Sequence, residues 1–355
     1  MASLNHNPVT IRLARDLGLS VRGDCLDAIT KHALSQVSQT IEQSPCSVAD
    51  LEMLKALVAD SLSVTLEYID SDENLDEIAR EYEPCIPHLA GQLRADFVDG
   101  NSEGLLLVLA RRESWQRKYL AVIDRRGEQS NRANFTTWHE LAHLLTAPPQ
   151  YVLNGLRRSP TQEEIAKDPI EQITDHVAGL IAFYDPLFRP IFAREIGDSP
   201  VTFTAIERVR LIASPTASFQ STAMACVRLS SRPTQFLKIE PRLSASERRQ
   251  LETSQFQLGI DTLPKLTPKL RVAVCYGNDA ALRFGLKIYK QMRIPPKSIL
   301  TRVYESASEQ EAESTENQNW WETSKSGALS DLPISVRGQR RGTHVYGLIS
   351  PVFRR

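Results

Sequence analysis

The chain has 355 residues, long enough for two or three domains that each bury a core of their own. Its 42 Lys and Arg nearly cancel its 43 Asp and Glu, which excludes a whole-molecule electrostatic pull toward nucleic acid, an anionic membrane or an acidic partner. Five scattered cysteines with no C-x-x-C pair argue against a disulfide framework or a thiolate zinc site. With no apolar leader, and no apolar run longer than "GLLLVLA" (104–110), they predict a cytoplasmic protein without a membrane segment.

From residue 8 to about 68, Leu26, Ile29, Leu34, Val37 and Ile41 recur at threes and fours, which predicts a helical scaffold. "SVTLEYI" (63–69) alternates as a strand does, whereas the acidic "DSDENLDE" and the proline-containing "YEPCIPHL" read as a loop with one short helix at most. "GLLLVLA" and "YLAVIDRRG" predict paired strands of one small sheet. A helix follows over "RANFTTWHELAHLLTAPP" (132–149), with Asn134 as its N-cap and Ala147-Pro148-Pro149 as its stop.

Residues 150–168 read as a loop. "IEQITDHVAGLIAFY" (170–184) predicts a helix with an apolar face through Ile170, Ile173, Val177, Leu180 and Ile181, closed by Pro186 and Pro190. Residues 202–233 give two helices split at Ser214-Pro215, where Ser214 can cap and Pro215 can take the first helical position, a helix-turn-helix-like shape. "DTLPKLTPKL" (261–270) reads as an interdomain connection. Beyond it, "LRVAVCY", "ILTRVYE" and "HVYGLISPVF" predict strands around one helix, and the polar "SASEQEAESTENQN" (306–319) predicts a mobile loop. The expected class is α+β, in three parts: 1–195 with a helical N-terminal portion and a metal-binding helix, a helical helix-turn-helix-like segment over 196–260, and a smaller α+β domain over 261–355.

Helical positions i and i+4 lie one turn apart on nearly the same face, so His139 and His143 can direct two imidazoles at one ion. Glu140 is rotated by one residue, where its carboxylate can reach a water at the metal without coordinating, which is the logic of H-E-x-x-H. A catalytic site needs a third protein ligand. On the next helix Glu171 and Asp175 are four apart, so Glu171 can coordinate while Asp175 orients a ligand histidine. Glu163, Glu164, Asp168 and His176 are rival third ligands. His176 is also a candidate proton donor or transition-state stabiliser, with Tyr151 and Tyr184 as weaker candidates. The plain alternative is a core helix with hydrogen-bonded histidines, and a solvated polar face at Glu171 and Asp175. Two imidazoles and a carboxylate suit Zn2+, and the same donors accept Mn2+ or Fe2+.

These residues resemble the ImmA/IrrE family of zinc metallopeptidases. "NRANFTTWHELAHLL" is similar to the family's Arg-x-x-Phe-Thr-x-x-His-Glu-Leu-x-His signature, and "DPIEQITDHVAGLIAFYDP" to its glutamate-containing helix. The likeness covers residues 100–190 well and the 202–230 helices less specifically, and it departs from the family at "LIAFYDP", where the proline is displaced. It implies a zincin-like, gluzincin-like metallopeptidase fold, His139 and His143 as zinc ligands, Glu171 as the third ligand and Glu140 as the catalytic glutamate. The implied activity is hydrolysis of a peptide bond by metal-activated water, with Glu140 as general base. The implied protein substrate is a DNA-binding repressor whose cleavage derepresses damage-response (stress-response) or mobile-element genes.

Two further readings compete. One is a DNA-binding regulator that uses the 202–230 helices through Arg208, Arg210, Arg228 and Arg232, with a non-catalytic metal site. The other is a sensor whose terminal domain lines a ligand pocket with "VCYGND" (274–279) and "NWWETS" (319–324). A basic cluster of Arg111, Arg112, Arg117, Lys118, Arg125, Arg126 and Arg132 is either a solvated hairpin edge or a contact to an acidic partner. "GLLLVLA" is either a core strand or a sheet edge that takes an extended substrate by strand addition.

Overall fold

The computed structural model describes residues 2–99, 102–110, 116–148, 168–244, 246–249, 266–306, 309–323 and 327–352. They divide into two compact units, Met1–Ile191 with Arg210–Ser221, and Phe192–Val209 with Thr222–Arg355. Helices and strands mix throughout, so the chain is α+β.

The first unit opens with helices α1 (Ala2–Asn5), α2 (Pro8–Asp16), α3 (Cys25–Gln43) and α4 (Leu51–Ser61). Side chains of Asn7, Asp24 and Asp50 cap the last three, each accepting a backbone N–H that has no partner within the first turn. The periodicity read over this region is realised in α3, where Leu26, Ile29, Ala33 and Val37 are buried and Leu34 and Ile41 lie at the margin.

Next come β1 (Val64–Ile69), α5 (Asp72–Tyr82), α6 (Leu89–Arg94), β2 (Gly104–Val108) and β3 (Tyr119–Asp124). The sheet order is β1-β3-β2, with β1 parallel and β2 antiparallel to the central strand. Every residue of β3 is buried because both faces of the sheet are covered. Leu120 and Val122 join Leu75, Ile78, Leu89, Leu93 and Leu107 in one cluster, and the opposite face packs on helix α7 (Ala133–Thr146). The acidic stretch, read as a loop with one short helix, is the start of α5, which runs for 11 residues. Ser71 caps it, Asp72 and Glu73 sit at the positive end of the helix dipole, and Leu75, Ile78 and Ala79 form its buried stripe.

Asn134 does not cap α7. Arg132 holds the cap position without a side-chain bond, and Asn134 is buried in the first turn. Its carboxamide accepts from Lys55 Nζ at 3.1 Å and donates to Ser214 Oγ at 3.3 Å. Ser214 and Thr216 donate to Glu52 at 3.4 and 2.8 Å, and Glu52 pairs with Lys55 at 2.5 Å. Burial alone would raise the Glu52 carboxyl, but Lys55 and Thr216 outweigh it and hold it below its ordinary value. The ring supplies the nearly buried ammonium with two acceptors.

Past α7, residues 149–167 lie outside the described part, and with them most of the expected loop. Helices α8 (Pro169–Ile181) and α9 (Asp185–Glu195) follow. Pro186 and Pro190 do not close α8. Pro186 stands in the first turn of α9, where a missing N–H costs nothing, and Pro190 lies inside α9. Both prolines are exposed, so water can reach the carbonyl that Pro190 leaves without a donor. The two later helices, α10 (Phe203–Ala213) and α11 (Phe219–Leu229), do part at Ser214-Pro215. Ser218, rather than Ser214, caps the second of them by accepting from Ser221 N at 3.1 Å.

The second unit is built on a five-stranded antiparallel sheet of order β5-β4-β10-β9-β6, from β4 (Gln235–Arg242), β5 (Lys269–Gly277), β6 (Ala312–Asn317), β9 (Pro333–Arg341) and β10 (His344–Pro351). Short β7 (Glu322–Thr323) and β8 (Gly327–Ala328) pair separately. β4 falls in a stretch expected to be helical, and β6 in the expected mobile loop, where its polar side chains suit an edge strand. "ILTRVYE" is not a strand but helix α13 (Ile299–Ser306), preceded by α12 (Asp279–Phe284). Its buried residues Ile299, Leu300 and Val303 fit one helical face, and the buried Glu316 carboxylate accepts from Ile299 N at 2.7 Å. Opposed Gly338 and Gly347 clear the sheet for that helix, since a Cβ on either would meet Leu300 Cδ2 at 3.0 or 3.3 Å. Among the described residues no helix is long and apolar enough to cross a membrane.

Replacing Asn134 by Leu removes an acceptor from a buried ammonium and a donor from Ser214. We expect a loss of about 1–3 kcal/mol, read from the urea midpoint at pH 7. An unchanged midpoint would show that the ring contributes nothing to stability.

Candidate metal centre

Helix α7 packs against α8, and this seam assembles the centre. α7 ends at Thr146, with Ala147 as its C-cap at the expected stop, while Asp168 starts α8 by accepting from Ile170 N, with Pro169 at the first helical position. Asp168 is thereby used as a cap rather than as a ligand, and it puts Glu171 in the first turn, where the helix dipole favours a carboxylate.

His139, His143 and Glu171 converge, with one donor atom from each within 4.8 Å of the others. His139 Nε2 lies 3.1 Å from Glu171 Oε2, His143 Nε2 lies 3.6 Å from Glu171 Oε1, and the two Nε2 atoms are 3.0 Å apart. Tetrahedral donors bound at about 2.1 Å are spaced roughly 3.4 Å from one another, so the three groups already stand at coordinating separations. Among the described residues the set offers three donors that could hold one metal ion.

The flanking contacts fix which nitrogens face the ion. Asp175 Oδ1 lies 2.9 Å from His139 Nδ1, and since a carboxylate only accepts, Nδ1 carries the hydrogen and Nε2 is left for coordination. Thr174, fully buried, places its hydroxyl 3.4 Å from His143 Nδ1. His176 is half-buried on α8 and is not among the three converging residues. Tyr184 is buried in the core. Glu163, Glu164 and Tyr151 lie outside the described residues.

Glu140 is 7% exposed, on the turn that carries both histidines. Burial pushes its carboxyl up to about 7, and the Glu171 charge adds to the shift against the opposing pull of His139. Burial works against a charged His139 imidazole too, but the carboxylates of Asp175 and Glu171 prevail and raise it to about 10. Burial and the His139 charge lower His143 to about 4. For Glu171, burial is outweighed by the His139 contact, which holds its carboxyl below the usual range.

Two residues next to the centre had not been singled out in the sequence. Gly104, at the start of edge strand β2, faces α7 so closely that a Cβ there would sit 2.5 Å from Thr136 Cγ2 and 3.0 Å from Glu140 Oε1. A glycine inside a strand pattern is the signal for such an approach. Glu103 beside it is paired with Arg132, and its carboxyl is raised by burial while feeling the charges of His139 and Asp175.

The basic cluster is largely spent internally. Arg117 pairs with Asp60, Arg125 with Asp70, Arg126 with Asp124 and Asp72, and Lys118 lies over the Tyr119 ring, while Arg111 and Arg112 are outside the described residues. The helix-pair arginines are likewise engaged. Arg208 reaches Glu195, Arg210 donates to the carbonyls of Pro215 and Ala217, and Arg232 donates to the Asp198 carbonyl. "VCYGND" is the end of β5 and the start of α12, where buried Asn278 caps the helix and donates to the Ser230 and Arg232 carbonyls. No family model matches the sequence, and no curated protein matches it.

Two outcomes follow from this geometry. A proton held by His139 with a pKa of about 10 must leave before a metal can bind. Zinc titration at pH 7 in buffers of different ionisation enthalpy should therefore show net proton release, and apparent affinity should rise from pH 6 to pH 9; a pH-independent affinity would contradict this. Gly104→Ala should displace Glu140 or Thr136 and cost about 1–3 kcal/mol in chemical denaturation, whereas a neutral effect would mean that the strand and helix can part freely.

Proposed function

We propose that the chain is a zinc-dependent endopeptidase of the zincin-like type that its motifs resemble, acting on a regulatory protein of the DNA-binding repressor class. The single observation that carries this reading is the convergence of His139, His143 and Glu171 with a buried carboxylate, Glu140, one residue from the first ligand. A structural metal site has no use for an additional, non-ligating carboxylate lifted toward neutral pH.

A divalent ion held by the three residues would supply Lewis acidity, polarising a carbonyl and making water more acidic. Glu140 then accepts the proton of the attacking water and returns it to the leaving nitrogen, a dual role suited to a carboxyl near 7. Asp175 holds the His139 ring at the angle that presents Nε2. Edge strand β2 begins at Gly104 against Glu140, and its outer side can take an extended peptide by main-chain pairing that runs up to the reacting carboxylate. This favours an extended polypeptide over a compact small molecule as substrate.

Reading DNA through the 202–230 helices has no comparable support, because Arg208, Arg210 and Arg232 make contacts within the protein.

The decisive comparison uses wild type, Glu140→Gln and Glu171→Ala, each co-expressed with the host's proteins. Wild type and Glu140→Gln should each carry about one zinc per chain, while Glu171→Ala should lose most of it. A protein cut by wild type should stay intact with Glu140→Gln, with activity down by at least about a hundredfold. Full biological activity of Glu140→Gln would refute the peptidase reading.

A further inference from the structure

We infer that the second unit carries a surface for single-stranded nucleic acid, formed by residues 283–297 together with Trp320. From Ala280 to Ser298 the chain contains no Asp or Glu, yet it has Arg283, Lys287, Lys290, Arg293 and Lys297, all exposed. Among the described residues none of these five is paired with a carboxylate. In the first unit, by contrast, Arg94, Arg117, Arg125, Arg126 and Arg132 each have one. In a chain of nearly balanced charge, this is the kind of local patch that a polyanion needs.

The fold holds the patch in place. Leu286 and Ile288 are buried in the unit's core, which turns the intervening Lys287 and the following Tyr289 outward. Backbone bonds from Gln291 N to Val272 O, from Val272 N to Met292 O and from Ile294 N to Leu270 O tie the later part of the segment along β5. Buried Gln318 accepts from Lys287 N at 2.8 Å and donates to the Gly285 carbonyl at 3.2 Å, so the turn that carries Trp320 is fastened to the same segment. Trp320 then lines an open depression of about 430 Å³ with Pro295, Pro296, Lys297 and Asn319, and Lys297 Nζ stands 3.8 Å from the indole centroid.

Aromatic groups alternate with these cations along the chain: Tyr289 is 50% exposed, and half-buried Trp320 has Lys297 Nζ over its ring. Cations without a carboxylate partner among the described residues would attract any polyanion, but rings at intervals along the chain between them match a ligand that alternates phosphates with planar bases. A duplex keeps its bases stacked inside and cannot use the rings. An anionic membrane would favour a continuous aliphatic face, whereas here the exposed apolar residues are interrupted by charges and by residues that turn inward. The surface belongs to the second unit and does not depend on the metal centre or its chemistry.

The test is fluorescence anisotropy of a labelled oligodeoxythymidine of about 15 nucleotides with the full chain, over a range of salt concentrations. Four or five phosphate contacts should give a slope of log K against log salt of about −3. Lys287→Glu combined with Lys297→Glu should weaken binding at least about tenfold, and Tyr289→Ala by about fivefold or more, while Arg12→Glu on the first unit should change it little. All the substituted side chains are exposed, and unchanged circular dichroism melts would establish that the variants fold. Three results would overturn the inference: no binding at low salt, equal binding to a duplex of the same length with no effect of Tyr289→Ala, or binding only to phosphatidylserine vesicles. Retained binding in the double charge reversal would relocate the site and so refute this one.

Discussion

The contact between His139 Nδ1 and Asp175 governs the centre, because it decides which imidazole nitrogen remains for an ion. A carboxylate can only accept a hydrogen bond, so the ring is held with Nε2 turned toward Glu171 and His143. The contact joins two helices, and it exists only because α8 lies against α7 with Glu171 and Asp175 one turn apart on the facing side. Sequence spacing sets the distances along each helix, and packing sets the distance across the seam. Asp168 and Pro169 matter here as much as the ligands do, since they fix where α8 begins and therefore where Glu171 falls.

Glu140 shows the other half of the design. Two carboxylates near a pair of imidazoles would normally be solvated, yet Glu140 is almost fully enclosed between α7 and the start of β2. Enclosure raises its proton affinity, and a glycine at position 104 makes the enclosure sterically feasible. The charge on His139 limits the shift. The same burial that would destabilise an isolated charge gives this one a proton affinity suited to passing protons near neutral pH.

Much of this was legible in the residues. Two histidines four apart on an apolar helix, followed by a second helix bearing Glu and Asp four apart, define a convergence that the three-dimensional arrangement contains. What the sequence concealed has physical causes. α5 carries its acids at the first turn and on its wet side, so composition imitates a loop while Leu75, Ile78 and Ala79 form a helical stripe. "ILTRVYE" has the β-branched content of a strand, and only its place on the sheet, above Gly338 and Gly347, makes it a helix. β6 is an edge strand that buries little beyond Glu316, so its polarity hides it. Gly104 and Thr174 acquire meaning only through neighbours remote in the chain, as does the engagement of the arginines that had suggested DNA reading.

The ring through Lys55, Asn134, Ser214 and Glu52 links positions up to 162 apart in the chain. A nascent polypeptide leaving the ribosome would have made α7 long before Ser214 emerged. Until then Lys55 would have Glu52 and Asn134, but the Asn134 amide would lack its Ser214 acceptor. The ring therefore closes only after residues 135–214 have been made, because Ser214 is the last of its four members in the chain.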